Sequence, residues 1–268
     1  MPHAIKDTLA APETTRCFQS MNIMKSQEAH EHLDNRLPAS TLDGLARVSG
    51  DVFKTSGYFV RAEHHMSRQW SYYVWPRIKD ADFSCVVDVA CGHGRNVARL
   101  APLARRLIAA DINEECLAAV RARFADVRNV ETLLIDGATL SGVPGATVTL
   151  VYCWDAMVHF EPEVVASYVA DFARVLAPGG LGFVHHSNWT GGRGKDFRTQ
   201  PHWHNWMSKE LFASYVRTAG LEIVSQDEID WDESYPAWRR FFGLQFRKRP
   251  VPKLGCITVF RKPALEVA

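Results

Sequence analysis

From about residue 83 onward, short apolar runs alternate with stretches of helical spacing. Phe83 to Val89 is apolar apart from Ser84 and Asp88 and reads as a buried strand. Residues 98–105 read as a helix, and residues 106–111 as a second strand closing on an acid. Glu114 to Phe124 carries leucine, valine and alanine at helical spacing, with Asn113 placed to cap it. Residues 130–136 give a third strand, again ending in an acid, and 147–154 a fourth. An amphipathic helix starts at Pro162 and is expected to stop at Gly179 and Gly180, with a fifth strand at 181–187. Residues 209–230 repeat helix, glycine stop and strand, and 256–262 form a last strand.

Parallel strands need long crossovers, which these helices supply, so the pattern predicts a mostly parallel sheet covered on both faces. The last two strands have no helix between them and should pair as an antiparallel edge hairpin. The expected fold class is doubly wound α/β, a seven-stranded Rossmann-like sheet. Ahead of it, residues 1–50 are polar and interrupted by Pro2, Pro12 and Pro38, with helical pieces around 20–35. Residues 56–78 are dense in aromatics and fit either a core helix or a cap over a pocket. Domain organisation is therefore read as an N-terminal helical and aromatic cap, 1–80, and a catalytic domain, 81–268.

Composition narrows the function. The chain has 268 residues, 47% hydrophobic and 23% charged, enough apolar material for a full core. A net charge of +1 lacks the basic excess of nucleic-acid binders. The run Arg247, Lys248, Arg249 reads as a solvated loop. Six cysteines, at 17, 85, 91, 116, 153 and 256, include no C-x-x-C pair, which fits free thiols in a reducing compartment. The first residues lack an apolar signal core and no run is long enough to span a membrane, so a cytoplasmic setting without membrane contact is expected.

The chemistry concentrates in "VVDVACGHGRN", residues 86–96, where the first strand breaks into a glycine turn. Gly92 and Gly94 let the backbone approach a ligand, and the helix that follows offers unpaired N–H groups. A dinucleotide fingerprint would need a glycine or alanine where Val97 stands, and the Gly-Lys-Ser/Thr of a phosphate loop is missing. What remains is an acid followed by small residues at alternating positions: Asp88, Ala90, Gly92 and Gly94. This resembles the first motif of class I S-adenosylmethionine-dependent methyltransferases, with Ala90 in place of the first glycine. A methyl group fits there if the backbone angles are ordinary.

The resemblance extends to Asp111, where the family's acid grips the ribose, and to Asp136-Gly137, where the family's acid meets the adenine amino group. It also takes in "LAPGG" before the fifth strand. It implies S-adenosyl-L-methionine as cofactor and S-adenosyl-L-homocysteine as product. It further implies a cofactor shell that adds Asn96, Ile112, Cys153 and Trp154, and a last strand inserted antiparallel. Asp111 would serve a nicotinamide enzyme equally well; the failed third glycine and Asp136-Gly137 discriminate.

The acceptor is expected among the segments after strands 4, 5 and 6, residues 155–163, 187–207 and 231–254, together with aromatic residues from 58–75. Loops this long in a compact domain are usually functional. Tyr58, Trp70, Tyr73, Trp189, His202, Trp203, His204, Trp238 and Arg239 are the candidate acceptor contacts. Methyl transfer to an alcohol needs a base. His159 is the first candidate, and Asp155 could orient a histidine or accept from an acceptor hydroxyl. Of His185 and His186, alternation sends one to the pocket and the other to packing; His186 is carried as a candidate. His202, His204, His186 and Asp155 could be thought of as metal ligands, but magnesium prefers oxygen donors, so no metal is expected. Arg193, Lys195, Arg198, Arg239 and Arg240 read as a solvated rim or as an anion contact.

The expected function is O-methylation of a sugar or another hydroxylated metabolite, as in natural product biosynthesis, with N-methylation of an amine or heteroaromatic as the alternative. A silent cofactor-binding protein and a nicotinamide dehydrogenase are further alternatives. Nucleic-acid methylation is disfavoured, since the fourth strand ends in "CWDAM" and not in N/D-P-P-Y. The partner is a small-molecule acceptor, with homo-oligomerisation left open.

Overall fold

The apolar runs become strands because a residue pair flanked by helices on both sheet faces has no solvent side. β1 (Val86–Val89) and β2 (Leu107–Asp111) are buried at every position. They are joined in one sheet by β3 (Val130–Leu134), β4 (Val148–Cys153), β5 (Leu176–Ser187), β6 (Glu222–Ile229) and β7 (Gly255–Arg261). The computed structural model describes residues 39–53, 58–231 and 253–264, all within one unit, Ala39–Ala268. The expected helical pieces at 20–35, and Trp238, Arg239 and Arg240, lie outside the described residues.

The sheet order is β3-β2-β1-β4-β5-β7-β6, with β1 to β5 parallel and β7 antiparallel to both its neighbours. The strand order reverses between β1 and β4, whose register sets Asp88 beside Tyr152. In such sheets a crevice opens beyond the strands' carboxyl ends at this switch point. The expected hairpin is present, with β6 at the edge and β7 inserted between it and β5.

Seven α-helices flank the sheet among the described residues: α1 (Ala39–Phe53), α2 (Tyr58–Gln69), α3 (Trp75–Ile78), α4 (Val97–Leu100), α5 (Glu114–Arg123), α6 (Pro162–Val175) and α7 (Lys209–Thr218). A π-helical turn, Trp70–Val74, joins α2 to α3. The described part of the aromatic stretch divides between core and crevice. Met66, Tyr73, Val74 and Ile78 belong to the main core, and the first turns of α2 face the crevice.

Three boundaries differ from the sequence reading. α4 is a single turn, continued by non-helical turns past Pro102, whose ring lacks the N–H that a longer helix needs. α6 stops at Val175, short of the glycines, because Pro178 keeps the residue before it out of the helical region and Leu176 is already extended at ψ 132°. Gly179, at φ 80°, serves the irregular start of β5 instead. β3 ends at Leu134, so Asp136 stands in the loop beyond it. No helix among the described residues is long and apolar enough to cross a membrane.

Candidate active site

A cavity of about 850 Å³, mouth included, opens at the switch point. Its floor is the turn after β1, and its walls are the ends of β2, β3 and β4. Its roof is α1 and α2, through Ala46, Gly50, Phe53, Tyr58, Phe59 and Glu63.

The turn is built on three left-handed residues: Ala90 at φ 57°, Gly92 at 52° and Gly94 at 79°. Ala90 corrects the sequence reading, which required ordinary backbone angles at that position. A non-glycine residue in this region is strained by about 1–2 kcal/mol. Gly92 has a second reason to lack a side chain, because a Cβ there would meet Phe59 at 2.5 Å. Asp111 locks the turn to β2: its Oδ2 accepts the Gly92 N–H and its Oδ1 the Asn113 N–H, both at 2.9 Å. Burial pushes the Asp111 carboxyl up, and those backbone N–H groups oppose the shift. Beneath the turn Asp88 is fully buried, and neither of its oxygens finds a partner among the described residues. Burial drives its carboxyl well above the usual range, with Arg95 pulling it down and Asp111 adding to the rise.

Arg95, the residue after Gly94, reaches across the cavity and donates to Asp155 Oδ2 at 2.6 Å, and to the Tyr58 hydroxyl at 3.2 Å. Tyr58 donates its own hydroxyl to the same Asp155 oxygen. Burial alone would raise the Asp155 carboxyl, yet the Arg95 charge and these hydrogen bonds hold it below the ordinary value. Asp155 is itself left-handed, at φ 58°. Strained non-glycine residues of this kind cluster at functional sites.

His159, on a 3₁₀ turn at Met157–His159, lines the same cavity. Its Nδ1 lies 2.7 Å from the Trp203 carbonyl oxygen. A carbonyl can only accept, so Nδ1 carries the proton and Nε2 keeps its lone pair. Burial lowers its pKa, so the ring is neutral at pH 7.

The cavity thus gathers Ala90, Gly92, Asn96, Asp111, Ile112, Gly137, Trp154, Asp155, His159 and Tyr58 of the expected site residues. Others fall outside its lining. Gly94 packs on Phe124. Cys153 is buried in β4. Asp136 turns its carboxylate onto its own loop, accepting from the Ala138 and Thr139 N–H groups at 2.8 and 2.7 Å.

His186 is a correction. It points to the α7 side of the sheet, stacked on Phe212 at 3.8 Å, with Nδ1 donating to the Ser187 carbonyl and Nε2 accepting from the Thr258 hydroxyl. Both ring nitrogens are occupied and burial takes its pKa to about 3, so it has no lone pair to offer a substrate. Alternation turns His185 the other way, against Trp154 at 4.7 Å, where neither ring nitrogen has a partner among the described residues.

Trp70 and Tyr73 pack with the core. In the 187–207 loop, Trp189 donates to Gln200, and His204 donates to the Leu254 carbonyl at 2.6 Å. His202 and Trp203 form a tight turn in which Trp203 contributes its main chain to His159. Arg198 pairs with Asp196, and Arg193 lies over the Trp206 ring at 4.5 Å. No group of three His, Cys, Asp or Glu is arranged to hold a metal among the described residues.

The sequence reading missed Arg95, Phe53, Phe59 and Glu63. For Arg95 the sequence carries a signal, a cation inside the ligand-facing turn; for the others, only the packing of α1 and α2 reveals their role.

Residues 86–180 match a family profile described as a methyltransferase domain. Over these residues the chain carries a methyltransferase domain. A Mycolicibacterium smegmatis protein named Probable S-adenosylmethionine-dependent methyltransferase is 29% identical over 141 residues, 52% of this chain and 52% of that protein. The chain thus spans about half the length of the curated relatives it matches. A methyltransferase structure from Mesorhizobium loti shares the fold at TM-score 0.59, with 15% identity over 72% of this chain and 97% of that one. Geranyl diphosphate C-methyltransferase from Streptomyces coelicolor, solved with Mg²⁺, geranyl diphosphate and S-adenosyl-L-homocysteine, shares it at 0.57, with 11% identity over 74% and 81%. The residues present suit the methyltransferase cofactor. Gly92 and Asp111 line the cavity, and each Asp111 oxygen, accepting one backbone N–H, keeps acceptor capacity for a hydroxyl.

Proposed function

We propose that this protein transfers a methyl group from S-adenosylmethionine to a hydroxyl oxygen of a small acceptor bound beside His159. One observation carries the reading: the cavity floored by the glycine turn also holds a neutral histidine whose Nε2 has no partner among the described residues. When bound, the cofactor supplies an electrophilic sulfonium methyl. In this reading Asp111, Gly92, Ile112 and Gly137 hold its nucleoside, and Asn96 lies toward its amino-acid end, with Asp88 buried beneath the turn. Arg95, Asp155 and Tyr58 brace the wall from the turn to the roof. The acceptor hydroxyl must lose a proton as it attacks, and His159 Nε2 takes it. A neutral amine attacks through its lone pair with no prior deprotonation, so a placed base favours oxygen. The roof of α1 and α2 limits the water that would otherwise weaken every charge in the site.

The test is turnover of labelled donor against matched panels of hydroxylated and amine acceptors, with S-adenosylhomocysteine affinity measured in parallel. His159→Gln should lower kcat roughly 10²- to 10⁴-fold and leave that affinity unchanged. The acid limb of the wild-type rate profile should lie below pH 6.5 and vanish in the variant. Label on nitrogen, or full activity in His159→Gln, overturns the reading.

A further inference from the structure

A neutral imidazole has one N–H, and in free histidine it sits more often on Nε2. His159 has the opposite arrangement, so something imposes it. The Trp203 carbonyl does, at 2.7 Å from Nδ1. The ring cannot turn away, because Phe53 and Phe197 pack against it with centroids at 4.8 and 5.6 Å.

The carbonyl is held with equal care. His202 and Trp203 both adopt left-handed backbone, φ 52° and 58°, though neither is glycine. Two adjacent strained residues persist only where the surroundings over-determine them. Here the far side of the turn is pinned by Asn205, whose N–H donates to the Val158 carbonyl at 2.7 Å, one residue before His159. The Asn205 carbonyl in turn accepts the Ser187 hydroxyl at 2.6 Å, at the end of β5. The turn is clamped between the histidine's own segment and the sheet. Meanwhile the Trp203 indole is 42% exposed, so burial of that side chain does not explain the strained backbone.

We infer that the His202–Trp203 main chain is a positioning element that fixes His159 in its Nδ1–H tautomer and so aims the Nε2 lone pair into the cavity. The inference rests on the O-methylation reading for its consequence in turnover, but the tautomer itself can be read without any substrate. A ligand-free wild-type protein should show the Nδ1–H form of His159 in ¹⁵N–¹H correlation spectra of its imidazoles. Trp203→Gly removes the indole and accepts positive φ freely, so it should keep the Nδ1–H tautomer of His159. Trp203→Pro cannot adopt positive φ and moves the carbonyl, so it should shift His159 toward Nε2–H. It should also lower kcat at least tenfold, roughly the least that losing a base produces, with KM for the cofactor within twofold.

The inference is overturned by an Nε2–H tautomer in wild type, by a proline variant that keeps tautomer and rate, or by a glycine variant that loses the tautomer as proline does. Loss of the base reading alone would look different: His159→Gln would stay active while the wild-type spectrum still showed Nδ1–H.

Discussion

At Ala90 a side chain occupies a backbone conformation that glycine adopts freely, at φ 57°. Ala90→Gly should remove strain of about 1–2 kcal/mol. Against that stands the extra freedom glycine gives the unfolded chain, about 0.4–1 kcal/mol. The expected outcome is a gain of roughly 0.5–1 kcal/mol in urea unfolding; a loss would show that the methyl packs usefully on the turn. Residue identity made the position visible in the sequence but left its φ invisible, since nothing in "VACGHGRN" fixes three left-handed residues in five. His186 was illegible for a related reason. A pair of adjacent histidines on a strand must split between faces, and only the packing of Phe212 on one face says which is which.

Helix α2 is tied down by arginines reaching up from below. Arg123 forks onto Glu63 at 3.0 Å, Arg99 reaches Ser67, and Arg95 joins Tyr58, the Ala62 carbonyl and Asp155. The first two pairs are exposed and contribute little. The Arg95–Asp155 pair is not, with side chains only 9% and 13% exposed. Asp155→Ala should therefore destabilise by about 3–5 kcal/mol, because it strands a buried guanidinium. It should also loosen α2, read as faster amide exchange at residues 58–66. A loss below about 1 kcal/mol would mean water already solvates Arg95. Among elements, the strands and α6 were plain from pattern, since apolar runs and a wide apolar stripe have few alternative placements. The π-helical turn at Trp70–Val74 and the roof over the glycine turn were not. Aromatic residues there serve core and cavity at once, and periodicity does not distinguish the two.

Across the whole molecule, histidine burial sets the acid stability. His159 and His185 are lowered, His204 to about 4 and His186 to about 3, with burial the largest cause for each. Their native pKa values lie below the unfolded 6.5, so the unfolded chain binds more protons in that window and stability falls as pH drops from 6.5 toward 4. Each histidine contributes a slope of up to about 1.4 kcal/mol per pH unit. Asp88 and Asp111 act oppositely. Their raised carboxyls hold protons in the native state, and the stability this gives is lost as pH rises above 3.8. With His93 also lowered and Glu161 also raised by burial, five histidines stand against three carboxyls among the described residues, so stability should rise with pH through this window. Urea unfolding at pH 7 and pH 5 should differ accordingly; equal values would mean these rings are already charged at pH 7. The sheet order and the switch point followed from the alternation of strands and helices, whereas this buried charge balance depends on contacts between distant segments and had no local signature.

The insertion of β7 between β5 and β6 has a temporal consequence. As the chain leaves the ribosome, β1 to β5 can zip together in sequence, but β6 emerges with no neighbour to join. It stays a lone ribbon until Gly255–Arg261 arrives to bridge it to β5 along two ladders. Until then the rim of β5, seven residues of which later pair with β7, stays an open template for foreign strands. Nascent chains stalled before residue 255 should thus be the aggregation-prone species, and their clumping should cease once β7 has emerged.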